Sequence, residues 1–122
     1  MASSRYDVLG IGNAIVDVIA RAEDDFLLRH GMHKGGMALI DEARAQSIYS
    51  AMGPAVEISG GSAANTIVGV ASFGARAAFV GKVKNDALGM VFGHDIRAAG
   101  VAFDTILAAE GPSTARCFVI VT

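Results

Sequence analysis

The sequence predicts an α/β fold: βα units arranged around a largely parallel sheet, with a small β layer beside it. Short β-branched runs alternate with helix-length apolar segments along most of the 122 residues. The connections are brief and marked by Gly, Pro, Asn and Asp, as between elements of one domain. Near the end the alternation breaks, and two strand-like runs follow one another directly.

Tyr6 to Ile11 is the first apolar strand, and after Gly12-Asn13 the segment Ala14 to Ala20 continues extended. Asp24 is expected to cap a short helix carrying Phe26, Leu27 and Leu28 to a stop at Gly31. Met37 to Ile40 reads as another strand. Asp41 then caps a helix with Ile48, Tyr49 and Met52 on one side, ended by Gly53-Pro54. Ala55 to Ile58 is the strand that feeds Ser59-Gly60-Gly61, and Ala64 to Phe73 follows as an apolar helix buried against the sheet. Ala77 to Val80 is a strand. Asp86 to Ala99 is the clearest amphipathic helix, with Leu88, Val91, Phe92 and Ile96 at helical spacing, Asn85 or Asp86 as cap and Gly100 as its left-handed stop. Val101 to Leu107 and Ala115 to Val121 read as a strand pair joined by Glu110-Gly111-Pro112-Ser113, the small β layer. No repeat or low-complexity linker interrupts the series.

A formal net charge of -2 gives no basic surface suited to nucleic acid. Charges such as Arg76 and Asp86 interrupt every apolar run before the ~18–20 residues a spanning helix needs, so no membrane partner is expected. Cys117 is the single cysteine and has no internal disulfide partner. Met1-Ala2-Ser3-Ser4-Arg5 leads into a strand-like segment rather than a signal-peptide core, and a cytoplasmic location is the expectation. With 52% hydrophobic residues and 15 glycines, the chain is more apolar than a small domain usually is. Its last residues form a strand with no turn or polar tail after it. The expectation is therefore a piece of something longer.

The chemistry concentrates at Ser59-Gly60-Gly61-Ser62-Ala63-Ala64-Asn65, where two glycines join a strand to a helix and an amide side chain stands one turn in. Glycines admit a ligand to the backbone, and the helix start offers free N–H groups. Asp17 can accept two hydroxyl hydrogen bonds, and Asn65 has both a donor and an acceptor for a vicinal pair. On the residues alone, a solvated turn acid, a helix-start cap and a tight loop explain the same positions as well.

Taken together the segments resemble the PfkB-type ribokinase family of ATP-dependent sugar and nucleoside kinases. Asp7-Val8-Leu9-Gly10-Ile11-Gly12-Asn13 with Asp17 is similar to the family's opening strand and its substrate-gripping acid, and Ser59 through Asn65 to its Gly-Gly substrate loop. Gly74 through Gly100, including Gly81-Lys82-Val83-Lys84-Asn85-Asp86 and Gly89, is similar to its first signature. The resemblance implies a ribokinase-like fold with a β-sheet lid drawn from about 14–21, 36–40 and 101–122, the chain being the N-terminal part of one domain. It implies transfer of the ATP γ-phosphoryl group to a hydroxymethyl of a nucleoside or sugar, with Asn13, Asp17, Gly60, Gly61, Asn65 and, more weakly, Arg116 on the substrate. A homodimer through the lid strands is a further implied partner.

The family's second signature, which carries the catalytic Asp, the anion-hole glycines and most of the nucleotide site, is absent from this sequence. ATP and Mg2+ are thus expected for the longer enzyme and not for this chain alone, which should lack the base that takes the hydroxyl proton. Gly12-Asn13 with Asp17, and Thr114 through Cys117, are more like the adenosine kinase branch, so a nucleoside precedes a fructose- or ribose-type sugar as substrate. A dinucleotide fingerprint fails because the third glycine of G-x-G-x-x-G would fall at Ile15. A non-catalytic small-ligand module is the remaining reading. His30, His33 and His94 read as solvated rather than zinc-binding.

Overall fold

The computed structural model describes residues 3–122 of the chain. Its elements are β1 (Val8–Ile11), β2 (Ile15–Arg21), α1 (Asp24–Arg29), α2 (Glu42–Ala51), β3 (Ala55–Gly60), α3 (Ser62–Ser72), β4 (Ala77–Val80), α4 (Ala87–Ala98) and β5 (Ala115–Val121). β1 and β4 pair in parallel with Val8 opposite Ala77 and Ile11 opposite Val80, while β3, β2 and β5 form a three-stranded sheet in that order. The α/β class and the parallel βα arrangement agree with the sequence.

Residues 3–17 and 57–117 form one compact unit. Its core is built on Phe79, Phe92 and Phe103, each at most 1% exposed, with ring centroids 5.3–6.2 Å apart. α4 contributes Leu88, Phe92 and Ile96 to this core because they recur at helical spacing; Val91, expected with them, is half-buried. α3 packs on β1 and β4 through Ala64 and Ile67. The rest of α3 is more exposed than its apolar sequence predicts, and Phe73 is 93% exposed.

Residues 18–56 and 118–122 form the second unit, with Val18, Ala20, Phe26, Leu27, Ala45 and Ile48 buried. Asp41 caps α2 as expected, its carboxylate accepting from the Arg44 amide at 2.8 Å. Ile48 is buried there, whereas Tyr49 lies at the surface with its ring 6.1 Å from that of Phe118.

Three local expectations are corrected. Asp24 does not cap α1: Glu23 occupies the N-cap position without a side-chain bond, and Asp24 is the first helical residue, near the positive end of the helix. Met37 to Ile40 forms no strand; Met37 and Leu39 are 94% and 98% exposed, and an apolar run becomes a strand only when a neighbour takes up its backbone bonds. Val101 to Leu107 does not pair with β5. It runs beside β4 instead, with parallel bridges from Ala102 to Ala78 and from Ala108 to Lys84, because Val101 and Phe103 bury their side chains in the aromatic core.

Candidate functional site

The residues singled out in the sequence all fall in the first unit. β2 carries Asp17, half-buried, and β3 ends in Gly60, which is buried; Gly61 then turns the chain into α3 with φ +94°. A Cβ built on Gly60 would stand 2.6 Å from Cγ of Asp17, so the carboxyl group lies directly on the Gly60 backbone. A Cβ on Gly61 would stand 2.7 Å from the Asn13 carbonyl oxygen. Gly61 is thus required by the main-chain approach and its positive φ, while at Gly60 the group in the way is the carboxyl of Asp17. Asn13, Asp17, Gly60 and Gly61 are brought together in this way.

Gly61 is the N-cap of α3 and has no side chain, so no cap bond meets the first amides of the helix. Asn65 is exposed in the first turn, its own amide bonded to the Gly61 carbonyl at 2.9 Å. The cap explanation for Asn65 therefore lapses, since the cap position belongs to Gly61. β3 is held from behind by Asp95 of α4, which accepts from the Ser59 amide at 2.7 Å.

Arg116 and Cys117 are neighbours on β5, so strand alternation turns them to opposite faces. Cys117 carries the one thiol of the chain. Partial burial pushes its thiol pKa up, and the negative charge of Asp17 adds to the rise. An open depression of about 330 Å³ is lined by Gly10, Ile11, Ser62, Ala63, Thr66 and Ile67, so the first turn of α3 after Gly61 borders it. No titratable group lines it.

Among the described residues, no group of three or more His, Cys, Asp or Glu is arranged to hold a metal ion, and no helix is long and apolar enough to cross a membrane.

Residues 39–122 match the family model described as pfkB family carbohydrate kinase. No curated protein matches the chain. Among solved structures, the adenosine kinase from Sinorhizobium meliloti is 58% identical with a TM-score of 0.81, over 97% of this chain and 36% of that one. A probable sugar kinase from Rhizobium etli is 51% identical with a TM-score of 0.82, over 98% and 36%. The adenosine kinase from Schistosoma mansoni in complex with adenosine and AMP is 25% identical with a TM-score of 0.78, over 98% and 37%. The chain thus spans little more than a third of the length of these structures, and its fold is that of their corresponding part.

Proposed function

Because the chain belongs to the pfkB family of carbohydrate kinases, we propose that it supplies the acceptor-binding side of an ATP-dependent phosphotransferase whose first-choice acceptor is a nucleoside such as adenosine. The observation that carries this reading is the Asp17 carboxylate resting on Gly60 beside the uncapped start of α3. A ribose or hexose presents adjacent hydroxyls that need fixed acceptors and donors. Asp17 accepts from two of them, the Asn65 carboxamide offers one donor side and one acceptor side, and the α3 amides supply further donors. Gly60 and Gly61 let the sugar ring approach the backbone, with Asn13 at the rim. Arg116 has the weaker claim.

In the reaction proposed, the hydroxymethyl oxygen attacks the γ-phosphorus, the bond to the bridging oxygen breaks, ADP leaves and the hydroxyl proton passes to a base. Positioning contributes much of such a rate enhancement. Among the described residues, no three His, Cys, Asp or Glu side chains gather to hold a metal ion. The reading assigns ATP, Mg2+ and the base to other parts of a longer enzyme, and the 122-residue chain alone is expected to turn over no ATP. A sugar acceptor is the second reading, favoured by the likeness to the probable sugar kinase from Rhizobium etli.

The test is a chimera in which this chain replaces the matching part of the Sinorhizobium meliloti adenosine kinase. Saturable phosphorylation of adenosine that Asp17→Asn abolishes supports the reading. Turnover with hexoses alone reverses the choice of acceptor, and an unchanged KM for the acceptor in Asp17→Asn removes Asp17 from the site.

A further inference from the structure

Two glycines in succession make a loose joint in a chain, and the acceptor site is built on one. A Cβ on Gly60 would meet Oδ2, Cγ and Oδ1 of Asp17 before any other atom, so the whole carboxyl group faces that residue. Where the Gly60 backbone lies therefore decides where the carboxylate can stand. On one side the joint is fixed by α3, because the Gly61 carbonyl accepts from the Asn65 amide at 2.9 Å. On the other side it is fixed by a side chain from a distant part of the sequence.

Ser59, the residue before Gly60, donates its amide to Oδ2 of Asp95 at 2.7 Å, across 36 residues of chain. Both residues are half-buried. β3 stands at the end of its sheet, and there the Ser59 amide is taken up by a carboxylate instead of another strand. A bond to an ionised acceptor is of the stronger kind. α4 can hold that carboxylate still, since Asp95 adjoins Ile96 and lies one turn from Phe92, both 0% exposed in the core. The helix gains nothing from an acid at this place: Asp95 sits towards the C-terminal end of α4, where the helix dipole disfavours a negative charge. The bond to Ser59 accounts for it.

We propose that Asp95 is a positioning residue for acceptor binding: by holding the Ser59 amide it fixes the Gly60 backbone against which the Asp17 carboxylate rests, and it acts without touching the acceptor. The proposal rests on the reading of Asp17 as the acceptor-gripping acid.

The chimera with the Sinorhizobium meliloti adenosine kinase carries the test. Asp95→Ala is expected to raise the KM for adenosine by roughly fivefold or more, the equivalent of one lost hydrogen bond, with kcat and the KM for ATP little changed. A merely structural role would lower the amount of folded enzyme, and so the apparent kcat, without moving that KM. Asp95→Asn keeps a side-chain oxygen that can accept from Ser59 and is expected to stay near the wild-type KM. In a Gly60→Ala background, where the added methyl already displaces the carboxylate, Asp95→Ala should raise the KM little further.

An unchanged adenosine KM in Asp95→Ala overturns the proposal, as does a KM in Asp95→Asn as high as in Asp95→Ala, or an equal rise in both backgrounds. Should Asp95→Ala fail to fold by circular dichroism, Asp95→Gln decides, because its acceptor oxygen stands one methylene further out: a raised KM supports the proposal and an unchanged one overturns it. If Asp17→Asn abolishes turnover while the Asp95 variants keep the wild-type KM, the positioning role alone fails. If Asp17→Asn itself leaves the KM unchanged, the acceptor reading fails and this role fails with it.

Discussion

The carboxyl group of Asp17 lies on the backbone of Gly60, where a methyl group would stand 2.6 Å from its carboxyl carbon. What gives way on adding that methyl is the end of a side chain, not the main chain. Gly60→Ala is therefore expected to swing the carboxylate aside with little cost in stability. In the chimera the KM for adenosine should rise about tenfold or more, the loss of one or two good hydrogen bonds, while the thermal midpoint barely moves.

Gly61→Ala should behave in the opposite way. Its φ of +94° disfavours any side chain, and the new methyl meets the Asn13 carbonyl oxygen, a main-chain atom without freedom to turn away. A loss of about 1–3 kcal/mol is expected from strain and crowding together. Urea unfolding of the variant, compared with Gly60→Ala, checks it.

Asp86 sets a pH dependence. Burial opposes its ionisation, but the bonds from Thr114 and Gly89 and the nearby Lys84 outweigh burial and hold its pKa below the usual carboxylate value. A depressed carboxylate stabilises the fold above its unfolded pKa, and that contribution is lost as pH falls through the folded pKa. Stability should decline below about pH 4, and Asp86→Asn should flatten part of the decline. Asp7, also held low by its bonds to Arg76, is fully exposed. Its share should disappear in high salt, whereas that of Asp86 persists.

Phe92 is fully buried, 5.9 Å from Phe79 and 5.3 Å from Phe103 by ring centroids. Phe92→Ala is expected to cost about 3–5 kcal/mol, enough to unfold a small domain of ordinary stability. Loss of the cooperative denaturant transition would show this. Val91→Ala, one residue away but half-buried, should retain it.

The order of strands and helices was legible in the chain because periodicity, caps and glycines act over a few residues. Asp41 and Asp86 cap the helices they precede, Ala77–Val80 is a strand as read, and Gly100 leaves α4 with φ +91°. The Gly60-Gly61 turn and its proximity to Asp17 followed from the resemblance to sugar and nucleoside kinases, which already encodes that pairing. What the sequence left open was which distant segments meet. An apolar run declares that it prefers burial without naming its partner: Met37 to Ile40 found none, and Val101 to Leu107 joined β4 instead of β5. Thr114 and Asp86 bond to one another 28 residues apart, and only the folded chain decides such a meeting.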